Sequence, residues 1–330
     1  MKSLPYGLQH IDEEDISAVV EVLRGKWLTT GPMIERFEES LAEKTGSKYA
    51  ISCSSGTAAL YLAAMTLDLR QGDCVIVPSI TFLATASAPY LAGASIVFAD
   101  VDPKTGLLTP EAFEDALRRA EPARVRAVLP VHLNGLPIDL TPIREIADSK
   151  GIKCIEDACH ALGGFYGDSK NLVGSCPHSD MTVFSFHPVK TIAMGEGGAV
   201  TTSDQKLAER LRCLRNNGII RNREDFIFKE QAIDSSGRQN LWYYELSQPS
   251  LNFRSSDINC ALGFSQLKKL QDFVKKRSEL KSLYDYEISK LSDNNPSKKV
   301  LTTVFNFSFS SSCPKETSGI NSNSRISFFI

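Results

Sequence analysis

Apolar residues recur along this chain with two periods, and the way these alternate sets the expected architecture. In "EEDISAVVEVLRG", Ile16, Val19, Val20 and Leu23 fall at helical spacing with Gly25 as the stop, which predicts a surface helix with one buried face. Beyond it, short and nearly continuous apolar runs alternate with helical segments: "YAISCS", "GTAALYLAAMTL", "CVIVPS", "ATASAPYLAGA", "SIVFADVD", "PEAFEDALRRA", "VRAVLPVHL", "TPIREIADSKG" and "IKCIEDA". Strands that are apolar on both sides must be covered on both sides. The alternation therefore predicts an α/β fold, a mostly parallel sheet covered by helices. In such folds, sites collect at the carboxyl ends of the strands.

"DMTVFSFHP" and "GGAVTT" predict two further strands, "DQKLAERLRCLRNNG" a helix closed by Gly218, and the polar, irregular residues 219–250 a long loop. "SSDINCALGFSQLKKLQDFVKKRSELKSLYDYEISKL" predicts a long helix that leads into a second domain. After Asp293 the chain is rich in Ser and Asn and poor in acids, with strand-like pieces that lack helical partners. The expected organisation is a large domain over residues 1–250 and the start of a small C-terminal domain over 251–330, incomplete after about residue 293.

A chain of 330 residues has room for two domains and hence for a deep site. Its net charge of -2 provides no basic field for nucleic acid or an anionic membrane, so a small-molecule partner is expected. The start lacks the apolar core of a signal peptide, and no run approaches the ~18 apolar residues of a membrane span, which predicts a cytoplasmic protein. Eight cysteines (Cys53, Cys74, Cys154, Cys159, Cys176, Cys213, Cys260 and Cys313) form no C-x-x-C pair, which fits reduced thiols. Cys159 and His160 are adjacent but lack other ligand-spaced partners, so no metal is expected.

Three features at strand ends carry chemistry. "SSGTAAL" puts Gly56 and Thr57 where a strand turns into a helix, so free amides and a hydroxyl can face an anion. "CIEDACHALGG" ends a buried strand in Glu156 and Asp157, and a carboxylate there needs a cationic or protonated partner. "FSFHPVK" sets Ser185 five residues before Lys190, so a hydroxyl and an amine can reach two ends of one rigid ligand. Each alone has a plain structural reading: a helix N-cap, a loop acid at a sheet edge, a strand end. Together they describe what pyridoxal 5'-phosphate requires: a phosphate cup, an acid for the pyridine nitrogen and a Schiff-base lysine, Lys190.

The segments "GPMIERFEESLAEKTG", "SSGTAAL", "PSITFLATASA", "IEDACHALGG", "VFSFHPVKTIAMGEGGAVTT" and "LNFRSSDINCALGFSQLKKL" together resemble the DegT/DnrJ/EryC1/StrS family of sugar aminotransferases, in unbroken order from about residue 5 to about residue 290. The resemblance implies a fold-type I pyridoxal-phosphate-dependent transferase, similar to aspartate aminotransferase. It implies transamination of a nucleotide-linked 4-keto-6-deoxy sugar with glutamate as amino donor. The opening stretch and "WYYELSQPSLNFRSSDINCALGFSQLKKL" are similar to the branch that works on a UDP-linked sugar toward pseudaminic acid.

By this resemblance Lys190 is the catalytic lysine, Asp157 keeps the pyridine nitrogen protonated, His160 meets the ring oxygen and Phe82 stacks on the ring. Gly56, Thr57 and Ser185 match the phosphate cup, and Asn252 an asparagine that arrives from the second subunit, which implies a homodimer with shared sites. Tyr6 and Lys26, Trp27, Leu28 and Thr29 match positions on the sugar-nucleotide side. Dehydratases of the family carry histidine in place of the lysine, so Lys190 points to transamination. Members continue past the long helix into a small domain that closes over the substrate, whereas here the resemblance stops near Asp293. This leaves a second reading, an inactive remnant or a non-catalytic dimer partner. A nucleotide-binding module resting on "GEGGAV" alone lacks the G-x-G-x-x-G spacing and a ribose-reading acid.

Overall fold

The computed structural model describes residues 7–167 and 170–291. Two helices lead in, α1 (Glu13–Arg24) and α2 (Pro32–Thr45), followed by β1 (Tyr49–Cys53) and α3 (Gly56–Met65). Then come β2 (Asp73–Pro78), α4 (Ala84–Leu91), β3 (Ser95–Ala99), α5 (Pro110–Ala120), β4 (Arg124–Val128), α6 (Thr141–Ser149) and β5 (Lys153–Asp157). The strands β6 (Met181–Ser185) and β7 (Gly198–Thr202) precede α7 (Gln205–Arg215), and α8 (Asp257–Lys268) and α9 (Leu270–Ser289) close the described chain.

Seven strands form one sheet in the order β1-β7-β6-β5-β4-β2-β3. Its pairs are parallel except at β7, which runs against both β1 and β6. Because strand side chains alternate between faces, each strand feeds two cores. Ala50, Ile76, Val128, Cys154 and Phe184 point to the face covered by α2, α5, α6 and α8, with Phe37, Leu41, Phe113 and Ile143 fully buried there. Ile51, Val75, Val77, Ile155 and Val183 point to the opposite face under α3, α4 and α7. The expected α/β sandwich of a mostly parallel sheet is what forms.

Some local expectations change. On α1, Ile16 and Leu23 are exposed and the buried positions are Asp15 and Val22. The reason is polar: Asp15 completes the capping box with Asp12, accepts a 2.7 Å hydrogen bond from Gln266 and pairs with Lys269 at 2.9 Å. The helix expected through Gly218 ends at Arg215, with Gly218 in a left-handed turn at φ 74°. The long helix after residue 256 is broken at Lys269, whose amine reaches back to Asp12 and Asp15 of α1. Residues 219–250 are mainly irregular but carry a two-stranded ribbon, β8 (Ile219–Ile220) and β9 (Glu245–Leu246), and a small core of Phe226, Ala232 and Tyr243.

At the end of β5, Glu156 is fully buried and accepts hydrogen bonds from His132 Nε2 at 2.6 Å, Thr182 Oγ1 at 2.7 Å, Tyr166 and Ser179. His132 Nδ1 accepts the Ile138 amide, so its Nε2 carries the proton that Glu156 receives. Burial opposes the charged carboxylate, but the hydrogen bonds and the His132 ring outweigh it and hold the pKa below its ordinary value. A lowered folded pKa adds stability that is present above the ordinary 4.5 and is lost as pH falls through the folded value. Glu156→Ala should therefore cost about 3–5 kcal/mol at neutral pH, by breaking a buried charge network, and the variant should lack this part of the acid-limb dependence. Urea titrations between pH 3 and 8 check both, and parallel pH curves for parent and variant would contradict the assignment.

Candidate active site

β1, β5 and β6 run in one direction, so the turn into α3, the end of β5 and the β6–β7 connection open on one edge of the sheet. β2 is parallel to this set through β4 and adds the turn that carries Phe82. The turn into α3 is tight because two glycines leave room. A Cβ on Gly56 would stand 2.7 Å from Ser185 Cβ and 3.4 Å from Cys159 Sγ, and one on Gly198 would overlap the Ser55 carbonyl. Ser55 caps α3 by accepting the Ala58 amide at 3.1 Å. The amides of Gly56 and Thr57 lie in the first helical turn and have no intrahelical acceptor, so they face outward beside the Ser185 hydroxyl.

Asp157 lies beside this cup, 4% exposed, and its described hydrogen-bond donors are neutral: the Thr85 hydroxyl at 2.6 Å and the Cys159 amide at 3.2 Å. Thr85 is held by Thr81 at 2.7 Å, and the Thr85 amide bonds Phe82 O at 3.0 Å, so the acid's donor and the aromatic share one turn. Phe82 is 46% exposed, and among the described residues no ring pairs with it. Lys190 sits in the β6–β7 connection, where its amide donates to His187 O at 2.8 Å. Lys190 lies close enough for its charge to act on two neighbouring groups. Burial and then the Lys190 charge push the His160 pKa below its ordinary value, while Cys159, raised well above its own by burial and Asp157, feels the same lysine in the opposite sense. His160 Nδ1 accepts the Asn134 amide at 3.3 Å, so neutral His160 carries its proton on Nε2 and offers a donor.

These residues fit pyridoxal phosphate. The glycine-lined cup offers amides to an anion, the described hydrogen-bond donors of the buried Asp157 are neutral, and Lys190 and His160 lie close by. The structure thus brings together Lys190, Asp157, His160, Gly56, Thr57 and Ser185, with Phe82 at the rim. Asn252 is exposed, with Oδ1 on the Arg254 amide at 3.2 Å, in a segment that joins the cup because Phe253 O accepts the Ser54 amide at 2.8 Å. Lys26, Trp27, Leu28 and Thr29 are all exposed on the link from α1 to α2. They are tied to the start of α8, where the Asp257 amide meets Leu28 O at 3.0 Å and the Asp257 carboxylate accepts the Gly31 and Met33 amides. Tyr6 lies outside the described residues.

The model of the DegT/DnrJ/EryC1/StrS aminotransferase family matches residues 9–323. The chain belongs to this family. The match runs past Asp293, where the motif resemblance had ended. The chain is 37% identical over 281 residues to the spore coat polysaccharide biosynthesis protein SpsC of Bacillus subtilis (strain 168), covering 85% of this chain and 68% of that protein. Among solved structures it resembles Helicobacter pylori PseC, an aminotransferase involved in the biosynthesis of pseudoaminic acid, at 30% identity and TM-score 0.75, with 89% of this chain and 72% of that one covered. It also resembles S. venezuelae DesV, solved with a ketimine intermediate, at 33% identity and TM-score 0.72, with 84% and 68% covered. The fold is that of fold-type I pyridoxal-phosphate transferases, and the chain is a pyridoxal-phosphate-dependent sugar aminotransferase.

Thr85 escaped the sequence reading, although "TFLAT" places the hydroxyls of Thr81 and Thr85 one helical turn apart, just before a helix and one strand from the acid. Thr85→Val should leave Asp157 Oδ2 without its donor in a site that water barely reaches, at a cost of about 1–3 kcal/mol to the cofactor-free protein. Added pyridoxal phosphate should narrow the gap between variant and parent in a thermal melt. A variant as stable as the parent would show that the hydroxyl does not serve the acid.

Proposed function

We propose that this aminotransferase transfers the amino group of glutamate to C4 of a nucleotide-linked 4-keto-6-deoxy sugar, UDP-linked, in a route of the pseudaminic acid type. The observation that carries the reading is the close approach of Gly56 to Ser185 and Cys159 beside the buried Asp157, with Lys190 in the connection that follows Ser185. The name of the PseC relative supports the substrate class. Bound pyridoxal phosphate supplies the electron sink that lets a proton leave the carbon bearing the donor's amine. The chain's residues do the rest. Lys190 would hold the cofactor, and its amine, once free, would take that proton and return it as a base. Asp157, which is buried, would match the charge of a protonated ring nitrogen. His160 Nε2 would donate to the ring oxygen, Gly56, Thr57 and Ser185 would hold the phosphate, and Phe82 would stack on the ring. Tyr6, Lys26, Trp27, Leu28 and Thr29 receive the sugar nucleotide, and residues 251–330 begin the smaller domain that walls it.

In the same reading the enzyme is a cytoplasmic homodimer in which Asn252 completes the phosphate site of the partner. The exposed apolar side chains at Ile227, Phe228, Leu241, Trp242, Leu246 and Leu251 on either side of the ribbon support an interface there. Among the described residues, no helix is long and apolar enough to cross a membrane.

Incubation with glutamate and a panel of UDP-, GDP- and dTDP-linked 4-keto sugars tests the substrate. Turnover restricted to a UDP-linked ketone is expected, and turnover with another nucleotide alone would overturn that assignment. Lys190→Ala should abolish turnover yet bind cofactor noncovalently, and Asp157→Asn should cost about 3 kcal/mol, roughly a hundredfold in kcat, with the fold retained. A protein with neither visible absorption nor a borohydride-trapped cofactor would be the inactive remnant instead. Mixing Asn252→Ala with Lys190→Ala chains should restore about a quarter of the parent activity, because each heterodimer holds one intact site. Heterodimers proven by mass but devoid of activity would place Asn252 in its own chain's site or in none.

A further inference from the structure

The twelve residues between β6 and β7 have no regular secondary structure, yet one of them carries the reacting amine. What holds them comes from α8 and α9. Asn259 Nδ2 donates to Met194 O at 2.6 Å, and the Ala193 amide donates to Gln266 Oε1 at 3.3 Å. α8 comes close enough for these bonds because Gly263 faces Met194, where a Cβ would stand 2.6 Å from Met194 Cγ. Nearest the amine, the Arg277 guanidinium of α9 grips two successive carbonyls, with Nη2 on Lys190 O at 2.9 Å and Nη1 on Thr191 O at 3.2 Å. No carboxylate among the described residues pairs with Arg277, so these carbonyls are its described partners. Lys190 is thereby tied on both sides, through its own amide to His187 O and through its carbonyl to Arg277.

We propose that Arg277 is a positioning residue for Lys190: its planar fork fixes the two peptide planes from which the lysine side chain departs, and so aims the amine at the Asp157–His160 side of the cavity. A lysine side chain has four rotatable carbons, so a small rotation of its backbone is magnified at Nζ. A misplacement near 1 Å is worth roughly a hundredfold in rate. A rigid planar fork fixes the directions of both bonds together, whereas the three donors of an ammonium rotate on a flexible stem and fix neither. The outward access of Arg277 makes its removal compatible with folding.

This inference rests on the reading of Lys190 as the cofactor lysine, and the experiment separates the two. Compare the parent, Arg277→Ala, Arg277→Lys and, as a control, Lys276→Ala, whose side chain is 70% exposed one position earlier. In cofactor-free protein, amide hydrogen exchange over residues 186–197 should quicken in Arg277→Ala and not in the control. With pyridoxal phosphate, the rate of borohydride-trapped attachment to Lys190 should fall about tenfold or more in Arg277→Ala, while noncovalent cofactor affinity changes less than about threefold, because the phosphate cup lies elsewhere. Arg277→Lys should remain closer to Ala than to the parent, and free guanidinium at millimolar concentration should restore part of the loss in Arg277→Ala. Exchange and trapping at the control's level would overturn the proposal. So would equal losses of affinity and trapping, which would mean general damage to the site, or full recovery in Arg277→Lys, which would reduce the role to charge. If the parent itself traps no cofactor, the functional reading fails and the exchange comparison alone decides whether Arg277 holds the loop.

Discussion

Two adjacent carboxylates, both buried, end the central strand β5, and the molecule is arranged to satisfy them on opposite faces. Because side chains alternate along a strand, Glu156 turns to the layer of α2, α5, α6 and α8 and Asp157 to the layer of α3 and α4. A buried carboxylate needs donors, and the two faces supply them differently. Glu156 is saturated by His132, Tyr166, Ser179 and Thr182, drawn from three stretches of chain, and has nothing left for a ligand. Among the described residues Asp157 receives only neutral donors, Thr85 and the Cys159 amide, which suits a cationic ring nitrogen. One residue step separates the acid that builds the fold from the acid proposed to serve the chemistry.

Much of this was legible beforehand. Continuous apolar runs separated by helices required a covered, mostly parallel sheet, and the rule that sites gather at strand ends picked out Gly56, Asp157 and Ser185 before any resemblance was invoked. Lys190 stood out because an isolated amine followed a strand and preceded a glycine-rich turn. What stayed hidden was polar and long-range. Apolar spacing put Ile16 and Leu23 inside, because it could not register that Asp15 would be buried by Gln266 and Lys269 from more than 200 residues away. Thr85 looked like an ordinary first-turn residue, since its hydroxyl acquires meaning only when β2 and β5 lie in one sheet. Asp257 lies in the stretch expected to be a long helix and does begin α8, but its carboxylate also caps α2 across the molecule.

The positions proposed to face the substrate were legible only through the family resemblance. Lys26 to Thr29 carry no periodic or catalytic signature, and their exposure in the folded chain is that of any link between helices. What marks them structurally is their attachment: Leu28 and Gly31 are both bound by Asp257, next to Ser255, whose hydroxyl bonds Cys53 O at the end of β1 at 2.7 Å. The link is therefore tied, through α8, to the strand from which the phosphate cup springs.

The reversed direction of β7 has a consequence for how the molecule assembles. β6 and β7 pair across a short connection, Ser185 opposite Gly198, so the lysine-bearing loop can be closed by a local event in the folding chain. The other edge of β7 must find β1, pairing Ile51 with Val200, and the segment at Phe253 must then reach Ser54. Contacts of such separation come with a large loop-closure entropy and form late. The anion cup, built where β1, β6 and β7 meet, and the bonds from Asn259, Gln266 and Arg277 that hold the lysine-bearing loop both require distant parts of the sequence to have joined. Cofactor capture is thus a property of the finished sheet, because a chain with only the β6–β7 pair closed has neither the cup nor a fixed lysine.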